Sequence, residues 1–280
     1  MTIHHLDCAN MCPVGGRLLL GSGGPLTGRM VGHCLLVEGE DGLVLVDTGL
    51  GTGDVADPRR LGRSFLTVVR PRLTLERTAL HQVRALGYRP EDVRHIVLTH
   101  LDVDHAGGLG DFPHARVHLL ADELRAARIR ATRAERDRYR PVQWSHGPRW
   151  VEHGPAEESW YGFRAARLSV GSAPEMLLVP LPGHTRGHSG VAVRQGDGWL
   201  LHCGDAYFAR TDIEPGAGPR TAPGLAAFQR LVATDDRARL ANQARLRELR
   251  RDHPEEVRLL CAHDATEFTR ARSLAAAAAR

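Results

Sequence analysis

Ten residues, numbered 99–108, constrain the fold of this chain more than any other feature of its sequence. They follow an apolar run at 95–98 that predicts a buried strand. The segment holds two histidines and two carboxylates within six positions, namely His100, Asp102, Asp104 and His105. On a straight strand alternate side chains point to opposite faces, but on a loop at the end of a strand these groups can converge on one point. The segment therefore predicts a metal site at the end of a strand.

Length and composition indicate one globular domain. With 280 residues and 42% hydrophobic content, the chain can bury a large core. No apolar run reaches the roughly 18 residues of a membrane span, and the first residues lack the basic start and apolar stretch of a secretory signal. Five scattered cysteines argue against a disulfide framework. We expect a single domain over 1–280, located in the cytoplasm, without membrane association.

The charge pattern excludes some functions. Lysine is absent, so all 37 basic residues are arginine and a lysine nucleophile is excluded. A net charge of +4 is too small to imply nucleic-acid binding. The arginine-rich stretch 121–140 also contains acidic residues, which favours a solvated helix with i,i+4 ion pairs over an RNA-binding surface. We expect a small-molecule substrate and no nucleic acid; the oligomeric state stays open, a homodimer included.

Hydrophobic patterning predicts an α/β architecture. Residues 51–71 lack periodicity and predict a long loop, and 212–223 predicts a flexible connection. Helical patterns occur at 74–86, 121–140 and 224–251. Strand patterns occur at 18–20, 33–37, 43–46, 95–98, 115–120, 176–181, 190–194, 198–202 and 257–261. Two β-sheets between outer helices, an αββα sandwich, follow from this order.

An aromatic stretch at 143–163 stands out in a chain with only 5% aromatic residues. It contains three of the four tryptophans, Trp144, Trp150 and Trp160. Such a density predicts either the wall of a binding pocket or a small hydrophobic cluster under a loop. Both interpretations stay open at this point.

Four further motifs accompany segment 99–108 in a fixed order. They are Leu-Val-Asp-Thr-Gly at 45–49, Pro-Gly-His-Thr-Arg-Gly-His at 182–188, Cys-Gly-Asp-Ala at 203–206 and Cys-Ala-His-Asp at 261–264. Together they resemble the metallo-β-lactamase superfamily, whose His-x-His-x-Asp-His signature matches segment 99–108, except that Asp102 stands where a second histidine is usual. The resemblance covers about 31–263 and implies two mixed β-sheets flanked by helices. Segments 109–127 and 182–190 look most like the acyl-homoserine lactonase branch.

The resemblance also implies roles for individual residues. One metal would be held by His100, Asp102 and His184, a second by Asp104, His105 and His263, with Asp205 bridging the two. The Asp-Thr-Gly turn would brace the metal loop, the alternative being a turn without a metal role. In lactonase relatives the residue matching Asp104 passes a proton to the leaving oxygen, and Tyr207 is the candidate for a tyrosine that stabilises the oxyanion; a structural role for Tyr207 stays equally open.

This ligand set predicts the chemistry. Imidazoles and carboxylates suit Zn²⁺, but Asp102 adds charge and hardness that favour Mn²⁺ or Fe²⁺, and the first site could also be weak or empty. Because a bound divalent ion lowers the pKa of water from about 15.7 to about 7, we expect a metal-dependent hydrolase that uses metal-bound hydroxide to open a small ester-like substrate, with a lactone favoured. The alternatives are a glyoxalase-II-like thioesterase, a phosphodiesterase, or a non-catalytic protein that binds a single metal.

Overall fold

Two six-stranded β-sheets form the centre of the protein. A computed structural model describes residues 2–16, 24, 26–154, 157–215 and 221–278. The strands are β1 (Ile3–Asp7), β2 (Asn10–Met11), β3 (His33–Gly39), β4 (Gly42–Val46), β5 (Pro71–Arg72), β6 (Val93–Val97), β7 (Arg116–Leu120), β8 (Arg149–His153), β9 (Glu158–Trp160), β10 (Phe163–Arg167), β11 (Met176–Pro180), β12 (Ser189–Gln195), β13 (Gly198–His202) and β14 (Val257–Leu260).

Both large sheets are mixed. The first has the order β1-β3-β4-β6-β7-β8, with antiparallel pairing from β1 to β4 and parallel pairing from β4 to β8. The second has the order β14-β13-β12-β11-β10-β9, in which β13 and β14 pair in parallel and the other pairs are antiparallel. Strands β2 and β5 form a separate two-stranded sheet.

The described part of the chain contains short and long helices, some of which cover the outer faces of the sheets. They are α1 (Thr52–Ala56), α2 (Arg63–Val68), α3 (Ala79–Ala85), α4 (Val103–Ala106), α5 (Ala121–Ile129), α6 (Arg133–Arg138), α7 (Pro223–Val232), α8 (Asp236–Asp252) and α9 (Ala265–Ala278). Short 3₁₀ helices lie at Pro58–Leu61, Leu75–Arg77, Pro90–Asp92, Gly107–Asp111, Pro141–Trp144 and Arg210–Asp212. Among the described residues, none of these helices is both long and apolar enough to cross a membrane.

Three apolar layers build the sandwich. Between the sheets, Val37 and Val97 of the first sheet share a buried cluster with Leu178 and Val193 of the second. The outer face of the first sheet packs against α3 and α5, and that of the second packs against α8. This arrangement confirms the predicted αββα sandwich of two mixed sheets. The five cysteines are free thiols, in agreement with the predicted absence of a disulfide framework.

Several predicted elements differ from the structure. Residues 51–71 hold α1, a 3₁₀ helix and α2 instead of a long loop, because Pro58 begins the 3₁₀ helix and Gly62, at φ 82°, separates it from α2. Stretch 121–140 divides where Arg130 adopts φ 46°. Stretch 224–251 divides before α8, whose first turn is capped by the Asp235 carboxylate. The predicted strand at 18–20 and residues 216–220 of the predicted connection lie outside the described residues.

Candidate metal centre

The candidate centre lies where the loops after four strands meet. The loop after β6 carries segment 99–108, and α4 begins inside this segment, at Val103. The loop after β11 carries His184, the loop after β13 carries Asp205 and the loop after β14 carries His263. The structure thereby brings together all seven side chains that the sequence singled out as ligands, namely His100, Asp102, Asp104, His105, His184, Asp205 and His263.

These side chains form two clusters that share Asp205. In the first cluster, His184 Nε2 lies 3.0 Å from Asp102 Oδ2, and His100 Nε2 lies 3.5 Å from the same oxygen. The second cluster consists of His105 and His263 around Asp104, at 4.0 and 3.6 Å from its Oδ2.

The Asp205 carboxylate faces both clusters. Its Oδ2 lies 3.4 Å from His184 Nε2 and 3.2 Å from His263 Nε2. Its Oδ1 lies 3.3 Å from His105 Nε2 and 3.0 Å from His263 Nε2. The carboxylate thus lies between the two clusters, and Oδ2 is the oxygen that reaches the first cluster. The carboxylate is almost fully buried, at 3% exposure, so water does not compete strongly for these oxygens.

Several buried polar atoms in these clusters lack a hydrogen-bond partner within the described chain. They are His100 Nε2, Asp102 Oδ1, His105 Nε2 and Asp205 Oδ1. Buried polar groups are normally paired, so such a concentration indicates a group that is not part of the polypeptide. Imidazole nitrogens and carboxylate oxygens are the donor set of divalent cations. The residues present therefore fit bound divalent metal.

Asp47 fixes the orientation of segment 99–108. Its carboxylate accepts hydrogen bonds of 2.8 Å from the Thr99 amide, the Thr99 hydroxyl and His105 Nδ1. Because Nδ1 is engaged in this way, His105 presents Nε2 to the cluster, an arrangement that commonly supports metal ligands. Asp47 itself lies at φ 54°, a conformation that the surrounding loop must hold in place.

Backbone carbonyls and a further histidine orient other ligands. His263 Nδ1 donates to the Val31 carbonyl at 2.8 Å, which leaves Nε2 for the cluster. His188 donates from Nδ1 to the Leu181 carbonyl at 3.0 Å and accepts the Asp205 amide proton at Nε2, at 2.9 Å. His188 therefore positions the backbone that carries Asp205.

The electrostatics of the first cluster depend on Arg138. Burial alone would raise the pKa of Asp102, but the charges of Arg138 and His100 outweigh burial and hold this pKa well below its usual range. Burial and then the charge of Arg138 lower the pKa of His184 to about 4, so its imidazole is neutral near pH 7. A neutral imidazole and an ionised carboxylate are the forms that bind a metal.

Glu123, which no sequence pattern singled out, holds two ligand loops together. Its carboxylate is fully buried and accepts hydrogen bonds from the Leu101 amide at 2.9 Å, the Thr185 hydroxyl at 2.7 Å and the Gly187 amide at 3.1 Å. Leu101 lies in the loop after β6, and the other two lie in the loop after β11. In the sequence Glu123 belongs to a charged helix, so only the fold distinguishes it from a surface acid.

Tyr207 is not placed at the clusters. Its side chain is fully buried in the layer between the second sheet and α8, and its hydroxyl donates to the carboxylate of Glu267 at 3.1 Å. A hydroxyl engaged in this way is not free to stabilise an oxyanion. The sequence-based suggestion of Tyr207 as that donor is therefore corrected, and its structural alternative is retained.

A pocket of about 730 Å³ opens above the two clusters. Asp102, Asp104, His184, Asp205 and His263 belong to its lining. Its walls are mainly apolar and come from α2, from α7 and from the N-terminal region, with Met11, Met30, Phe65, Val68, Phe208, Phe228 and Leu231 among the lining residues.

None of the described residues of the aromatic stretch 143–163, which exclude 155 and 156, belongs to this lining. Trp160 and Phe163 are buried in the outer layer of the second sheet, and Trp144 and Trp150 pack on the outer layer of the first. Neither interpretation of this stretch holds as stated, because these residues are divided between two large apolar layers and do not form one small cluster under a loop. Aromatic residues are frequent in this stretch because they cover the outer faces of the two sheets.

Proteins of similar sequence align with most of this chain. A family profile described as the Metallo-beta-lactamase superfamily matches residues 27–263. A probable metallo-hydrolase of Mycobacterium tuberculosis is 45% identical over 274 residues, which cover 98% of this chain and 83% of that protein. An N-acyl homoserine lactonase of a Bacillus species is 28% identical over 203 residues, which cover 71% of this chain and 74% of that protein.

Solved structures show the same fold and complete the comparison. An N-acyl homoserine lactone hydrolase with the product N-hexanoyl-L-homoserine at its catalytic metal centre superposes with a TM-score of 0.69 at 21% identity, covering 96% of both chains. AidC, a dizinc quorum-quenching lactonase, gives a TM-score of 0.61 at 16% identity, covering 94% of this chain and 87% of its own. From its sequence profile, its relatives and its fold, this chain belongs to the metallo-β-lactamase superfamily.

Proposed function

We propose that this protein is a hydrolase with two divalent metal ions that opens a lactone-like ester carrying an apolar substituent. The observation that carries the proposal is the position of the Asp205 carboxylate between two clusters of imidazoles and carboxylates, 3.4 Å from His184 of the first and 3.0 Å from His263 of the second. A carboxylate that bridges two ions needs this placement, whereas a single ion would leave one cluster without a partner.

The ligands divide between the clusters. His100, Asp102 and His184 would hold one ion, Asp104, His105 and His263 the other, and Asp205 would bridge them. Such ions, when bound, supply a hydroxide nucleophile at neutral pH and polarise a substrate carbonyl. Each cluster offers two imidazoles and one carboxylate besides Asp205, a donor set that suits Zn²⁺, and the carboxylate of Asp102 in place of an imidazole makes Mn²⁺ or Fe²⁺ acceptable in the first.

Asp104 is the residue that we assign to proton transfer. It belongs to the pocket lining and lies beside the second cluster, with its Oδ2 3.6 Å from His263 Nε2. Opening of a lactone ring breaks the bond between the acyl carbon and the ring oxygen, and that oxygen leaves as an alkoxide that needs a proton. An ionised carboxylate at the floor of the pocket would take the proton of the hydroxide once that oxygen has added to the carbonyl, and would pass it to the departing ring oxygen.

The shape and lining of the pocket support an apolar substituent on the substrate. Its 730 Å³ exceeds what the ester group alone would fill, and the walls from α2 and α7 offer hydrocarbon and aromatic side chains. Side chains such as Phe65 and Phe228 gain most from contact with another apolar surface. The N-acyl homoserine lactonases among the relatives act on a lactone with an acyl substituent, and we carry this feature over as part of the proposal.

Acid release tests the proposed activity. Protein loaded with Zn²⁺ or Mn²⁺ is offered lactones, acyl esters, glutathione thioesters and phosphodiesters, alongside the variant Asp205→Ala and a matched control, Asp137→Ala. Asp137 is an exposed acid that lines the same pocket but belongs to neither cluster. We expect metal-dependent lactone opening that Asp205→Ala abolishes and that Asp137→Ala retains, with faster turnover as the acyl chain lengthens.

Two outcomes would assign another function. Preferential cleavage of thioesters or phosphodiesters would select one of the enzymatic alternatives. Stoichiometric binding of one metal, with no turnover of any substrate class and a loss of stability on chelation, would favour a non-catalytic metal protein. Full lactone turnover by Asp205→Ala would refute the bridging role of Asp205.

A further inference from the structure

Arg138 contacts both ligand loops of the first cluster. It is the last residue of α6, and its guanidinium is largely buried, at 14% exposure. Its Nη1 lies 3.4 Å from Asp102 Oδ2 and donates to the His184 carbonyl at 3.0 Å. Its Nη2 donates to the Val232 carbonyl near the end of α7. The guanidinium group therefore contacts the carboxylate of a candidate ligand and two backbone carbonyls at once.

The charge of Arg138 matches the unusual ligand Asp102. With an aspartate at this position the ligand set has three carboxylates, Asp102, Asp104 and Asp205, where a histidine would leave two. Two divalent ions in this set would therefore carry one unit less of net positive charge. The positive charge of the Arg138 guanidinium compensates this difference, and it lies within ion-pair distance of the Asp102 carboxylate.

We infer that Arg138 is a positioning residue that compensates the charge of Asp102 and aims its carboxylate at the first cluster. The inference rests on the proposed metal centre. Asp102 is 17% exposed and its Oδ1 lacks a partner within the described chain, so water screens the pair only weakly. Removing one partner from a pair of this kind leaves a buried uncompensated charge, which costs more than the intact pair contributes.

The competing explanation is that Arg138 only ties backbone segments together through the carbonyls of His184 and Val232. That role would not depend on which side chain occupies position 102. A double-mutant cycle with Arg138→Gln and Asp102→His separates the two explanations, because it measures the interaction between the two side chains and not their separate contributions. Arg138→Lys keeps the charge without the planar fork and provides a second variant.

The cycle is measured by urea unfolding of the full chain with a chelator present, so that bound metal does not enter the result. We expect Arg138→Gln to lower the folding equilibrium constant about tenfold more in the Asp102 protein than in the Asp102→His background. Arg138→Lys should recover most of this difference. An equal loss in both backgrounds would overturn the inference and leave the backbone role.

The Co²⁺-loaded protein provides a spectroscopic readout. If Arg138 aims Asp102, Arg138→Gln changes the visible absorption of bound Co²⁺ in the Asp102 protein but not in the Asp102→His background. The matched control is Arg136→Gln, since Arg136 lies on the same helix and donates to the carbonyls of Arg130 and Ala131 at 3.2 and 3.0 Å. This control should leave both the spectrum and the stability cycle unchanged, and an identical response to both substitutions would contradict the inference.

The two proposals fail in different ways. Absence of metal from the unmodified protein would remove the proposed function, yet the cycle in chelator would still report whether Arg138 and Asp102 interact. Full metal loading and lactone turnover without any coupling between Arg138 and Asp102 would remove this inference alone.

Discussion

The buried carboxylate of Glu123 offers a quantitative test of how the ligand loops are held. Substitution Glu123→Gln keeps the shape of the side chain and replaces one oxygen with an amino group. If the amide oxygen stays near Thr185 and Gly187, the amino group faces the Leu101 amide, and two donors then meet without an acceptor. The perturbation is thus confined to one buried hydrogen-bond network.

The expected cost follows from the contacts. An unpaired buried donor costs about 1–3 kcal/mol, and the two remaining bonds lose the strengthening that a charged acceptor gives, about 1 kcal/mol each. A neutral amide is less costly to bury than a carboxylate, which offsets part of this loss. We expect a net loss of about 2–4 kcal/mol, a large part of the roughly 5–15 kcal/mol that stabilises a typical domain.

Urea denaturation of Glu123→Gln and of a matched surface variant, Glu152→Gln, measures this difference. Glu152 pairs with Arg128 at 3.2 Å, but its side chain is 43% exposed, so its loss should cost at most about 1 kcal/mol. Because Glu123 links the loops that carry His100 and His184, its variant should also lose metal more readily to a chelator. Equal unfolding midpoints for the two variants would refute the assignment of Glu123 as the link between the loops.

Three further predictions concern other residues. Asp47→Ala should weaken metal binding about 10- to 100-fold in a chelator competition, because His105 loses the partner of its Nδ1; unchanged affinity would count against the bracing role. Tyr207→Phe should leave kcat/KM nearly unchanged, whereas loss of an oxyanion donor would reduce it about 100-fold or more. Burial, followed by the charges of His95 and His153, lowers the pKa of His118 from 6.5 to about 3. Between about pH 3 and pH 6.5, His118 therefore binds a proton in the unfolded chain but not in the folded one. The contribution of neutral His118 to the free energy of unfolding should be fully present above pH 6.5 and should be lost as the pH falls. The loss should reach about 2 kcal/mol near pH 5 in urea titrations, and His118→Gln should flatten this dependence.

Local patterns in the sequence were sufficient for the features that depend on neighbouring residues. The run at 95–98 predicted strand β6, and the four candidate ligands after it lie in the loop that follows this strand, as expected. Alternation and apolar runs also predicted most central strands, because buried sheet faces impose a pattern on the residues that cover them.

Contacts between distant segments escaped prediction. Glu123 meets Gly187 across 64 positions and Arg138 meets His184 across 46, and neither side chain differs locally from a surface residue. The break in stretch 121–140 depends on the left-handed backbone conformation of Arg130. Because arginine rarely adopts this conformation, no residue pattern predicted the break. Tyr207 follows Asp205 closely in sequence, yet the turn after β13 directs its side chain into the core.

The distribution of the ligands over both sheets has a consequence for maturation. His100 and His105 follow a strand of the first sheet, while Asp205 and His263 follow strands of the second. Neither half of the chain carries a complete set for either proposed ion, so each ion, when bound, would act as a removable cross-link between the halves. Capture of such an ion would come after the sheets have docked, and its release would remove a constraint on their separation. Metal content should therefore report how much of a preparation has completed folding.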